Sequence, residues 1–120
     1  MSERMQFVEH AGGKILVVDF TDCTAPQVIS IVNDVVEEVG GHPRDSVLIL
    51  ADFTRAQVDK PTAEHMKKAL VMDRPYVKRA AWVGTETLPK VFFDNFKRFS
   101  QRQISKFASR QEAMDWLVGS

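Results

Sequence analysis

Two short runs close on the same three residues, Asp19-Phe20-Thr21 and Asp52-Phe53-Thr54. Carboxylates gathered at the ends of neighbouring strands are hard oxygen donors that can hold Mg²⁺ and serve phosphoryl transfer. Asp22 stands beside the first run, and Thr85 follows a third strand. A phosphoryl-accepting site of this kind also wants a lysine at the end of its last strand and one more strand–helix unit to space the acids. Neither is present. The expectation is that each Asp holds the N–H groups of its own turn, with an acidic-pocket phosphoryl-transfer domain as a remote alternative.

Cys23 precedes a helix start, Thr24-Ala25-Pro26, and a helix N-terminus lowers a thiol pKa. No histidine is near in sequence to act as its base, so Cys23 is read as an incidental small residue. His10, His42 and His65 match no metal-ligand spacing and read as surface or turn residues. No glycine-rich phosphate loop, H-E-x-x-H or G-x-S-x-G is present. The chain is therefore expected to be no enzyme and to use no cofactor and no metal.

Phe92, Phe93, Phe96 and Phe99 crowd one helical stretch. The plain reading is a wide buried face. The functional reading makes Phe92, Phe93 and Phe96 an apolar ligand pocket or a dimer surface. Around them runs the densest basic stretch, with Lys90, Lys97, Arg98, Arg102, Lys106 and Arg110 against Asp94 alone. The formal net charge of zero hides this asymmetry: residues 1–60 hold five basic and ten acidic side chains, and residues 61–120 hold eleven and six. Folded into one domain, the two halves should present opposed patches. Nucleic acid is not expected as a partner, because a pI near 6.8 is not that of a basic domain.

The elements that must position these residues follow from periodicity. Residues 5–10 alternate, Ala11-Gly12-Gly13 turns the chain, and 14–20 (KILVVDF) is rich in β-branched residues, which together read as a hairpin. Thr24 and Gln27 stand at capping-box spacing. Val28, Ile31, Val32, Val35, Val36 and Val39 then form one helical stripe, ended by Gly40-Gly41. Residues 46–53 (SVLILADF) form a buried strand, 54–60 a loop, and 61 to about 73 a helix with Ala63, Met66, Ala69 and Leu70 inward. A strand lies within 76–84 and a helix starts at about Thr87. A short strand covers 103–107, and Ser109-Arg110-Gln111-Glu112 opens a helix expected to bury Ala113, Trp116 and Leu117.

The order β-β-α-β-α-β-α-β-α implies a single α/β domain over residues 1–120. Its sheet should be mainly parallel, with right-handed crossovers and an antiparallel N-terminal edge strand. In such sheets ligands sit at strand carboxyl ends. A chain of 120 residues buries enough surface to need no staples, and its one cysteine cannot form an internal disulfide. No apolar run approaches the roughly 18–20 residues of a membrane helix, and the first ten residues lack a signal-peptide core. The expected location is the cytoplasm, with no integral-membrane role.

The stretch Arg74-Pro75-Tyr76-Val77-Lys78-Arg79-Ala80-Ala81-Trp82-Val83-Gly84, then Phe99-Ser100-Gln101-Arg102, then Phe107 through Glu112-Ala113 to Trp116-Leu117 resembles the SpoIIAA-like STAS/SEC14 family over nearly the full length. The resemblance implies that layout and a non-enzymatic regulatory or binding domain. STAS-class antagonists carry a phosphorylatable serine in a D-S-S/T-G-like motif. Here Val58-Asp59-Lys60-Pro61-Thr62 stands in that place, without its serine and glycine, and Thr62 alone can accept phosphate. The SEC14 side of the resemblance implies a carrier or sensor of a small apolar ligand. The loop 54–62, with Arg55, Gln57, Asp59, Lys60 and Thr62, is the expected contact surface for a protein partner, and a homodimer is expected through an edge strand or the phenylalanine helix.

Overall fold

The structure, a computed structural model, describes residues 3–100 and 103–119, with no account of the side chains of Phe99, Ser100 and Gln103. Arg102 and the Phe99 side chain, both singled out above, lie outside what is described. Strands β1 (Met5–His10) and β2 (Gly13–Asp19) form the antiparallel hairpin. Its two-residue turn, Ala11-Gly12, has positive φ at both positions, the arrangement whose twist matches the strands it joins. Then come α1 (Ala25–Val39), β3 (Val47–Asp52), α2 (Lys60–Asp73), β4 (Val77–Val83), a single 3₁₀ turn (Thr85–Thr87), α3 (Lys90–Ser100), β5 (Gln103–Phe107) and α4 (Arg110–Val118).

The strand order is β1-β2-β3-β4-β5, with every neighbouring pair after the first parallel. Because each crossover steps in the same direction, right-handedness puts α1, α2 and α3 on one face. There they cover Leu16, Val18, Ile49, Ala51, Ala80, Trp82 and Ile104. The other face, Ile15, Val17, Leu50, Ala81 and Val83, is covered by α4 through Ala113 and Leu117. Strand order never reverses, so the sheet lacks the crevice where doubly wound folds bind ligands.

Sequence and structure differ in three places that matter for the site. The phenylalanine helix starts at Lys90 rather than Thr87. Leu88, which precedes Pro89, is held in extended backbone, and the proline carbonyl instead receives the first helical N–H groups. Phe93 and Phe96 are buried against Trp82, ring centroids 5.4 and 5.5 Å away, and Phe92 keeps part of its ring exposed. Phe93 and Phe96 are therefore core rather than a pocket wall or dimer surface, and among the described side chains of the helix Val91 and part of Phe92 stay at the surface. Trp116 is half-buried rather than buried, lying beside Phe107 at 5.3 Å and under the Arg79 guanidinium at 5.6 Å.

Candidate functional site

The two Asp-Phe-Thr runs build the same turn twice. Asp19 and Asp52 are register partners at the ends of β2 and β3. Asp19 Oδ1 accepts the Thr21 N–H at 2.9 Å, and Asp52 Oδ1 accepts the Thr54 N–H at 3.0 Å and its hydroxyl at 2.6 Å. One residue on, Asp22 and Arg55 both adopt left-handed backbone, φ 59° and 56°. Each turn closes on a phenylalanine carbonyl, Phe20 receiving Cys23 N–H at 3.0 Å and Phe53 receiving Ala56 N–H at 2.9 Å. The turns are laced together by Asp22 N–H to the Thr54 carbonyl and Gln57 N–H to the Cys23 carbonyl, both 2.9 Å. Gly84, at φ 67°, completes the row. A Cβ there would overlap Thr54, so only glycine lets the β4 end approach so closely.

Strand alternation aims Asp19 and Asp52 at the face that α4 covers. Arg110, the first residue of α4, donates from Nε to Asp52 Oδ2 at 2.8 Å and brings Nη2 within 3.5 Å of Asp19 Oδ1. Arg4 flanks Asp19 at 3.7 Å and donates to the Thr21 carbonyl at 2.8 Å. Burial pushes the Asp52 carboxyl up, but the Thr54 hydrogen bonds and Arg110 outweigh it and hold it below its ordinary value. The carboxylates that looked like a phosphoryl-transfer pair are thus turn-builders and the anchor of a helix. Among the described residues no group of three or more His, Cys, Asp or Glu is arranged to hold a metal ion. Arg4 and Arg110 were not foreseen as their partners.

Arg55 and Asp22 form an exposed forked pair, Nε to Oδ1 at 2.6 Å and Nη2 to Oδ2 at 3.1 Å, which lowers the Asp22 pKa. Gln57 and Lys60 are exposed beside it. The other two expected contact residues have structural tasks. Asp59 caps α2, accepting the Thr62 N–H at 2.9 Å, and the bonds to Thr62 lower its pKa. Thr62 is 1% exposed. Its hydroxyl is out of reach of a partner or a kinase while α2 keeps its first turn, so neither contact nor phosphorylation falls to it in this fold. Cys23 is buried and burial raises its thiol pKa, the reverse of activation. His10 and His65 lie on the surface, paired with Asp115 and Asn33, each at 2.7 Å.

Between α1, α2 and the sheet lies a cavity of about 70 Å³ whose walls include Val32, Phe53, Met66 and Trp82. It is smaller than the roughly 150 Å³ apolar cavity that accepts benzene.

The chain matches no known protein-family profile and no curated protein. Among solved structures it is similar to an uncharacterised protein of the DUF3478 family with a SpoIIAA-like fold from Shewanella loihica PV-4. The TM-score is 0.72 and the identity 16%, over 94% of this chain and 91% of that one. The chain therefore has a SpoIIAA-like fold, as the resemblance implied. No helix among the described residues is long and apolar enough to cross a membrane.

Proposed function

We propose that this chain is a non-enzymatic STAS-like binding module of the cytoplasm that docks a protein partner through its strand-end turns. One observation carries the reading. The two turns are held rigid by reciprocal backbone bonds, and what they hold out to solvent is Arg55, Gln57 and Lys60, side chains with no core task. Rigid turns presenting polar groups fit recognition, since ordering costs fall when the surface is formed before binding. The test is Arg55→Ala with Lys60→Ala, assayed by isothermal titration against a partner captured with the wild-type chain. The expected result is binding weakened about tenfold or more, with stability within roughly 0.5 kcal/mol of wild type. Unchanged binding moves the contact surface elsewhere, the basic stretch 90–110 being next.

A second reading, carriage of a small apolar ligand, now rests on the cavity beneath α1 and α2 rather than on the phenylalanine helix. Its size suits only a very small guest, so a lipid tail would first have to part the helices. Native mass spectrometry of the purified protein tests it, a bound apolar mass supporting the reading.

A further inference from the structure

Strand β4 breaks step with β3 once. Val47 pairs with Val77 and Leu48 with Arg79, so Lys78 is an extra residue with no register partner on β3. Bulges are rare between parallel strands, and they re-aim side chains. Here the faces show what is re-aimed. Val77 and Ala80 lie on the three-helix face, and Ala81 lies on the α4 face. Strict alternation from Val77 would send the Arg79 guanidinium under the three helices. The extra residue turns it to the α4 face instead, where it lies over the Trp116 ring. Lys78 and Arg79, two consecutive cations, thereby come to line one cleft.

That cleft has a volume of about 360 Å³, against about 70 Å³ for the apolar cavity. It falls within the roughly 300–1,000 Å³ of small-molecule sites. It sits at the amino ends of the parallel strands, between the hairpin turn and the end of α4. A Cβ on Gly13 would overlap Val118, so the turn packs tightly against the end of α4 and fixes that wall. Leu48, Leu117 and Val118 give the lining its apolar part. Arg79 Nη1 donates to the Trp116 carbonyl at 3.1 Å, which holds the guanidinium in place and commits one of its N–H donors. Lys78 is exposed and pairs with no carboxylate among the described residues. Asp45 is the one carboxylate of the lining, so two cations against one acid leave a single positive charge. That balance suits a singly charged anion better than a phosphate dianion. We infer that the cleft binds a small monocarboxylate with a short aliphatic chain, its head held by Lys78 and Arg79 and its chain laid on Leu48 and Val118. The site is independent of the strand-end turns, which lie at the opposite ends of the strands.

Titration of the isotope-labelled protein with hexanoate, acetate, hexanol and inorganic phosphate, followed by NMR, tests the inference. Hexanoate at millimolar concentration is expected to give saturable shifts at the amides of Gly12, Ser46, Lys78 and Val118. Acetate, which lacks the chain, and hexanol, which lacks the charge, should each bind about tenfold or more weakly. Phosphate should bind no better than acetate. Lys78→Gln should weaken hexanoate about fivefold or more, and Lys78→Arg should bind it as wild type does. Lys78 is exposed, so urea melts of both variants should match wild type. The absence of saturable shifts overturns the inference. So does hexanol binding as well as hexanoate, or Lys78→Gln binding as wild type. Shifts centred on Met66 and Trp82 would put the chain in the apolar cavity and overturn it as well. The Arg55/Lys60 variant should bind hexanoate unchanged, which keeps this test separate from that of the partner surface.

Discussion

Phe20 and Phe53 stack with ring centroids 4.7 Å apart and planes 5° from parallel, one ring from each of the twin strand-end turns. Phe53 also meets Trp82, tilted by 52° at 4.8 Å, so the turn that presents Arg55 is seated directly on the aromatic centre of the core. Surface and core are coupled here, and several expected outcomes follow from that.

Asp52→Asn should cost about 1–2 kcal/mol at neutral pH, because the Thr54 bonds can survive while the charge opposite Arg110 is lost. The Thr54 hydrogen bonds and Arg110 hold the folded-state pKa of Asp52 below its ordinary value. Its contribution is thus present above the unfolded pKa and lost as pH falls through the folded one. Denaturant melts from neutral pH downward should show the variant and wild type converging below about pH 4. A gap that stays constant with pH would mean the charge is not what Asp52 supplies.

Phe96→Ala should cost roughly 3–5 kcal/mol, since the ring is fully buried. Trp116→Ala should cost less, about 1–3 kcal/mol, because that ring is half-exposed under Arg79. Urea melts of both variants check the order, and a larger loss at Trp116 would show that α4 contributes more to the core than its burial indicates.

Gly84→Ala should destabilise by about 1–3 kcal/mol from the left-handed backbone alone, with the Thr54 overlap adding to it. Thr54→Ala in the same chain removes the overlapping hydroxyl but should recover little, because the other two overlapping atoms are Thr54 backbone. Thermal melts of the single and double variants measure this.

Cys23 should resist thiol reagents in the native state, being buried and raised in pKa. Its labelling rate at pH 8 should rise with denaturant in step with unfolding. Fast labelling of the native protein would place the thiol at the surface.

Most of the architecture was legible because periodicity is a backbone property. The valine stripe of α1, the apolar run of β3 and the Ser109 cap each state their own element. The carboxylate network was half legible. That Asp19 and Asp52 hold their own turns follows from Asp two residues before an N–H, but Arg110 is 58 residues away from Asp52 and reads in sequence as one more member of a basic run. Alternation along β2 and β3 carried the missing signal, since Ile15, Val17 and Leu50 share the face of α4 and the two aspartates continue it. Burial of Thr62 was not legible at all, because a polar residue in the first turn of a helix looks the same in sequence whether that turn faces water or a neighbouring loop.

One half of the sheet waits for the last helix. Among the described residues, 110–118 form the helix that covers Ile15, Val17 and Leu50, and they supply the arginine that Asp52 faces. During synthesis the chain must hold that apolar face open until these residues clear the ribosome, while the three-helix side can already close. A stalled or shortened product lacking α4 would carry an exposed, strand-rich surface, the kind that chaperones recognise and proteases clear.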